Sequence, residues 1–250
     1  MFRPRITPVL LFSNGAAIKT KQFKNPTYLG DIINTARILS EFEADELIVL
    51  DIDASKENRC IDTNLVSELS KETGMPLSIG GGISSIEDIA QLITAGAEKV
   101  ILGTSAFQQS IFVEKAVAEF GSSTISVCID VLKDQESEVR FYNGTIKSQM
   151  SLEETITHFE QLGVGEVIIQ SINNDGMRTG YDLETLSIAT SISKIPIVAL
   201  GGANALDDFS QAYLNANCSA CAASSMFVFH KNGVLISYPE KSQIQHLFNR

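Results

Sequence analysis

Leu47-Ile48-Val49-Leu50-Asp51-Ile52-Asp53 is a short apolar run that ends in carboxylates, and a matching run, Val167-Ile168-Ile169-Gln170-Ser171-Ile172-Asn173, follows 120 positions later. Continuous apolar runs of this length read as strands buried on both faces, which is what a parallel sheet covered by helices demands. The same offset relates Pro76 and Gly81-Gly82 to Pro196 and Gly201-Gly202, and Thr104-Ser105-Ala106-Phe107 to Ser224-Ser225-Met226-Phe227. Each half therefore repeats strand, Gly-Gly turn, strand and small-hydroxyl turn in one order. A period of this kind marks a duplicated structural unit.

Working outward, eight strands alternate with stretches of helical period: Ile6–Leu11, Glu46–Asp51, Leu77–Gly80, Lys99–Leu102, Thr124–Asp130, Glu166–Ser171, Ile197–Leu200 and Ala220–Ala223. Eight strands from two four-strand halves predict an α/β fold, a (β/α)8 TIM barrel made of half-barrels over about 1–120 and 121–250. No Pro/Gly-rich hinge or low-complexity tract divides the chain, so 1–250 reads as a single domain. Two helices stand out, Asp31–Phe42 and Ser151–Leu162, and Ser151 three residues before Glu154 predicts a capping box. One added element, Asp134–Lys147, reads as a β-hairpin with a type I′ turn at Asn143-Gly144. The connection after the first strand reads as a long loop carrying Lys19.

Composition narrows the function. A formal charge of −11 and a pI near 4.7 repel a phosphate backbone, which argues against nucleic acid as a partner. The start, Met-Phe-Arg-Pro-Arg-Ile, lacks a secretory h-region, and no stretch approaches the roughly 18 apolar residues of a membrane span. The expectation is a cytoplasmic chain with no membrane partner. Cys218 and Cys221 have CxxC-like spacing inside an apolar run, which reads as buried strand, with Cys60 and Cys128 isolated. His158, His230 and His246 stand near no other ligand type, so neither a metal site nor a Ser-His-Asp triad is expected.

In such a barrel the chemistry lies at the C-terminal ends of the strands, where Gly-rich turns hold anions on backbone N–H groups. Gly80-Gly81-Gly82 with Gly103-Thr104-Ser105 forms one candidate phosphate site. Gly201-Gly202, Ser224-Ser225 and Asp175-Gly176 form a second across the mouth. Two facing sites suit an elongated substrate with a phosphate at each end.

These residues resemble the cyclase subunit (HisF) family of imidazole glycerol phosphate synthase. The resemblance covers essentially the whole chain, through Glu46–Ile52, Gly80-Gly81-Gly82-Ile83, Ala95–Val100, Ile129-Asp130, Asn174-Asp175-Gly176, Gly180-Tyr181-Asp182 and Gly201-Gly202-Ala203. It implies a barrel that cleaves a nucleotide-like bisphosphate and closes an imidazole ring, without a cofactor, using ammonia from a glutaminase docked as a heterodimer at the N-terminal face. It implies two catalytic aspartates at the ends of the first and fifth strands. The second is Asp130, but the alignment places Leu11 where the first should be, with Asp51 and Asp53 as the nearest carboxylates. Gly103 stands where the family has a side-chain amide. The resemblance also makes Arg5, Glu46, Lys99 and Glu166 a charged gate for ammonia, and Lys19 a cover for bound substrate.

Two main readings follow. In the first, the chain is a divergent paralogue that keeps the glutaminase interface and ammonia route but delivers ammonia for amidation of a surface-polysaccharide sugar, with a separate amidotransferase. The alternative is a genuine cyclase subunit that forms imidazole glycerol phosphate and AICAR in histidine biosynthesis. A phosphoribosyl isomerase acting alone and a non-catalytic scaffold complete the set.

Overall fold

Parallel pairing runs round a closed ring in the computed structural model, which describes residues 3–134, 136–230 and 233–248. In chain order the first half contains β1 (Arg5–Ser13), β2 (Ala16–Lys21), β3 (Lys24–Gly30), α1 (Ile32–Glu41), β4 (Leu47–Asp51), α2 (Thr63–Glu72), β5 (Leu77–Gly80), α3 (Ile86–Thr94), β6 (Lys99–Leu102), α4 (Thr104–Gln108) and α5 (Ser110–Phe120). The second contains β7 (Ile125–Lys133), β8 (Ser137–Phe141), β9 (Ile146–Lys147), α6 (Leu152–Gln161), β10 (Glu166–Ser171), α7 (Leu183–Ile192), β11 (Ile197–Leu200), α8 (Leu206–Leu214), β12 (Ala220–Ala223) and α9 (Ser225–Val228). A short β13–β14 pair (Phe229–His230, Gly233–Val234) and α10 (Lys241–Leu247) follow.

The barrel order is β1-β4-β5-β6-β7-β10-β11-β12, closed by β12 pairing with β1. All eight expected strands are present. Glu46 lies one residue before β4, while β1 and β7 run on to Ser13 and Lys133. Two apolar layers result. A large cluster packs strands against helices, and a smaller one, Val9, Ile48, Ile101, Ile168, Val198, Leu200, Ala220 and Ala222, fills the barrel interior. The interior set follows from strand alternation, which sends every second side chain inward.

The duplication extends to the caps. Asp31 and Ser151 cap α1 and α6, and Asp62 and Asp182 cap α2 and α7. Asp88 accepts from the N–H groups of Ser84 and Ser85, and Asp208 from those of Asn204 and Ala205. Each pair lies 120 positions apart. Ser151 and Glu154 form the expected reciprocal capping box.

One expectation needs correction. The segment carrying Lys19 is not a loop but the antiparallel hairpin β2–β3, built onto β1 through the register Leu11↔Ile18 and Ser13↔Ala16. Asn14-Gly15, which joins β1 to β2, has positive φ at both residues (48° and 80°), as a two-residue primed turn requires, and so does the β2–β3 turn itself, Gln22-Phe23 (51° and 61°). The expected β8–β9 hairpin is the counterpart of β2–β3, its turn lying 120 positions on: Asn143 and Gly144 have φ of 55° and 73° and Thr145 N–H donates to Tyr142 O at 3.2 Å. Asn-Gly pairs thus stand at hairpin turns in both halves, between β1 and β2 in the first and between β8 and β9 in the second.

Two substitutions test this account. Ser151→Ala should cost about 1 kcal/mol by removing a cap. Phe159→Ala, at a fully buried ring packed edge-on to Phe107 at 5.3 Å, should cost about 3–5 kcal/mol. Denaturant midpoints at constant m-value measure both, and equal costs would count against the packing described.

Candidate active site at the barrel mouth

A cavity of about 380 Å³ opens at the C-terminal ends of the strands. Its floor is apolar, made by Val9, Leu11, Leu50, Ile101 and Leu200, with Cys128 and Asp130 beside them. Cys128 and Asp130 are two residues apart on β7, so alternation turns both inward, and Cys128 Sγ lies 3.9 Å from Asp130 Oδ1. That spacing would have identified Cys128 from sequence, although sequence reasoning had passed over it. Gly81, Gly82, Thr104 and Ser105 line the same cavity. Gly176, Gly201, Gly202, Ser224 and Ser225 line a smaller pocket that adjoins it along Lys19, Asp175, Leu200 and Ser224. Both sets of expected anion-binding residues are thus gathered at the mouth.

The glycines are forced by packing as well as by conformation. A Cβ on Gly82 (φ 63°) would lie 1.8 Å from Arg59 O, and one on Gly202 (φ 112°) would lie 2.1 Å from Gly180 O. The N–H groups of Gly81, Gly82, Gly201 and Gly202 find no acceptor among the described residues. They remain available to an anion.

Asp175 behaves otherwise than as an anion ligand. It is buried, and its carboxylate accepts from Lys19 Nζ at 2.5 Å, Thr20 Oγ1 at 2.9 Å and Phe23 N–H at 3.4 Å. Its carbonyl accepts from Gln22 N–H at 2.9 Å. A carboxylate already committed to three donors of one hairpin, with the carbonyl of the same residue taking a fourth, anchors that hairpin over the mouth, and Lys19 is held in the same anchor. The second hairpin meets the first, because Gly144 packs against Phe23 while Asn143 Nδ2 donates to Ile52 O.

Leu11 and Asp130 occupy equivalent places. Leu11 pairs with Leu50 and Asp130 with Gln170, and Leu50 and Gln170 are themselves 120 positions apart. Among the described residues, the neighbouring carboxylates Asp51 and Asp53 are both engaged. Asp51 accepts from the N–H groups of Asp53 and Ala54 and from Arg59 at 2.5 Å. Asp53 accepts from Ser13 Oγ at 2.5 Å. Each holds a turn together.

At the opposite end, Arg5, Lys99 and Glu166 open their strands and Glu46 precedes β4. The four form one alternating ring. Arg5 bridges Glu46 (2.9 Å) and Glu166, while Lys99 lies 3.5 Å from each of the same carboxylates. Ser78 Oγ donates to Glu46 from the interior side. Burial opposes the charge on Arg5, but Glu166 and Glu46 outweigh it and raise its pKa. Mutual neutralisation is what permits four charges here.

Burial pushes the Asp130 carboxyl up to about 7; the nearby Asp175 adds to this, and the Cys128 contact opposes it. Asp130 therefore changes charge near neutral pH. Its folded value lies above the ordinary 3.8, so its contribution to stability is complete below pH ~4 and is lost as pH rises through ~7. Asp130→Asn should accordingly gain on the order of 2–3 kcal/mol relative to wild type between pH 5 and pH 8.5. Unfolding curves at the two pH values measure this, and an identical difference at both would refute the assignment.

Comparison with known proteins agrees with this geometry. The family described as "Histidine biosynthesis protein" matches residues 5–233. The "Putative imidazole glycerol phosphate synthase subunit HisF" of Leptospira interrogans is 39% identical over 254 aligned positions, covering 99% of this chain and 100% of that protein. Two proteins of Vibrio vulnificus (strain YJ016) also match. The one numbered hisF3 is 36% identical (97% of this chain, 95% of its own) and the one numbered hisF1 is 33% identical (94% of each). Matched along nearly its whole length by subunits of this type, the chain belongs to the histidine biosynthesis protein family as a HisF-like (β/α)8 barrel.

Proposed function

We propose that this chain is a barrel subunit of the imidazole glycerol phosphate synthase type that has diverged from ring closure. In this reading it takes glutamine-derived ammonia from a glutaminase, bound as a heterodimer at the N-terminal face, and delivers it to a phosphorylated acceptor in the cavity. The acceptor belongs to the amidation of a surface-polysaccharide sugar, and the reaction is cytoplasmic and needs no cofactor. One observation carries the proposal: Leu11 occupies the place related by symmetry to Asp130, while the charged ring at the far end is complete. The higher identity to hisF3 than to hisF1 of one organism favours a duplicated lineage.

The chemistry follows from what each end of the barrel supplies. Arg5, Glu46, Lys99 and Glu166 gate entry, and the interior above them offers the hydroxyls of Thr7, Ser78 and Ser126, all buried. Ammonia emerging at Leu11 and Cys128 meets an acceptor held by a phosphate at Gly81-Gly82-Thr104 and another at Gly201-Gly202-Ser224. As the C–N bond forms, the nitrogen must lose a proton and the departing oxygen must gain one. In this reading Asp130, with its carboxyl held up to about 7, is the acid/base group that takes the proton from nitrogen, while the separate amidotransferase activates the acceptor oxygen for departure. Ring closure needs a second positioned acid or base, and leucine cannot exchange protons. Loss of such a group typically costs on the order of 10²–10⁴ in rate.

The second reading is a genuine cyclase/lyase subunit forming imidazole glycerol phosphate and AICAR, favoured by the two facing Gly-Gly turns and by Asp130. Turnover of the family's bisphosphate substrate, measured for the purified chain with saturating ammonium salt, separates the two without any partner. The proposal predicts wild-type turnover at least ~10²-fold below that of Leu11→Asp, the variant that restores the acid/base group. Robust wild-type turnover overturns the divergent reading and establishes the cyclase.

A further inference from the structure

The two candidate anion sites, although related by the internal repeat, differ in charge. Around the first, each cation is already paired: Arg59 lies 2.5 Å from Asp51 and 2.6 Å from Glu57, and Lys56 lies 4.0 Å from Asp53. Around the second, Lys19 is neutralised by Asp175. Arg178 is the exception. It lines the second pocket, and only its Nε is engaged, donating to Asn204 Oδ1 at 2.9 Å. Its two terminal nitrogens have no partner among the described residues. The backbone there is left-handed, with φ 57°. Asn58, 120 positions earlier, has φ 52° and lines the main cavity. One loop geometry thus presents a neutral amide in the first half and a guanidinium in the second.

A second, independent observation points to a ligand at the same place. Ser224 Oγ and Ser225 Oγ belong to residues 9% and 6% exposed, line this pocket, and have no hydrogen-bond partner. A buried hydroxyl left unpaired costs about 1–3 kcal/mol. Unpaired hydroxyls lining one pocket with an unpaired guanidinium call for an anionic oxygen acceptor with several lone pairs.

We propose that Arg178 is a substrate-binding residue that clamps a phosphomonoester dianion against Ser224, Ser225 and the Gly201-Gly202 turn, making the second-half site the stronger of two unequal anion sites. The proposal rests on the two-anion-site reading above and adds its polarity: an elongated bisphosphate is held firmly at one end and loosely at the other. Arginine suits this because its planar fork meets two phosphate oxygens at once, whereas lysine offers a point charge.

Inorganic phosphate titrated into the whole chain and followed by calorimetry provides the test, with Arg178→Gln and Arg178→Lys beside wild type. Wild type should show two steps of unequal affinity. Arg178→Gln should weaken the tighter step about tenfold or more and leave the weaker one unchanged, with Arg178→Lys between. The melting temperature of Arg178→Gln should stay close to the wild-type value, because the only bond lost is the exposed one from Nε to Asn204 Oδ1. A tighter step unaltered in Arg178→Gln, or both steps weakened equally, overturns the role of Arg178 while the two anion sites stand. No phosphate binding by wild type at millimolar concentration removes the two-site reading and this proposal together.

Discussion

Closure of β12 onto β1, through the parallel register from Arg5↔Ala220 to Pro8↔Ala223, is the constraint on which the rest of the molecule depends. An open eight-stranded sheet would have two edges and no interior. Once closed, it has no edges, and every second residue of every strand points into one shared volume. That volume is stratified by position along the strands. Charges lie where the strands begin, Val9, Ile48, Ile101, Ile168 and Val198 fill the middle, and the cavity opens where the strands end. The charged ring is tolerable only under closure, since Arg5 and Lys99 reach both Glu46 and Glu166 across the barrel. Each carboxylate so buried would be destabilising alone.

Duplication provides the scaffold and asymmetry provides the function. The helix caps repeat at 31 and 151, at 62 and 182 and at 88 and 208, so the frame of the two halves is the same hydrogen-bonded design. The differences cluster at the mouth. Leucine replaces a carboxyl at 11, a guanidinium replaces an amide at 178, and the two hairpins attach differently. β2–β3 is tied down by Asp175, whereas the turn joining β8 to β9 reaches across to Ile52. Residues in the frame answer to packing, where a change is costly in both halves. Residues at the mouth answer to the ligand.

Much of this was legible in the sequence. Strand positions came from apolar runs that no half-exposed strand would show, and the caps from Ser151-Glu154 and its kind, because these depend only on neighbours in sequence. The β2–β3 hairpin was missed because its turn, Gln22-Phe23, carries no Asn-Gly signal, while Asn14-Gly15 marks only the turn from β1 to β2. The run Lys19–Tyr28 is polar on both faces, so it shows no alternation to mark it as strand. Asp175 is a related case. Its place beside a Gly suggested an anion loop, and only the folded hairpin shows that its carboxylate faces Lys19 and Thr20.

The sequence by itself determined the eight-strand repeat, the glycine turns at both candidate anion sites and the absence of a carboxyl at position 11, since each is a property of a local run or a single residue type. Only the tertiary structure decided that Asp51 and Asp53 are committed elsewhere, that Lys19 is neutralised, that Arg178 is not, and that Asp130 titrates near neutrality. Charge pairing and desolvation are set by which side chains share a few ångströms of low-dielectric space, and in a closed barrel those neighbours come from strands far apart along the chain.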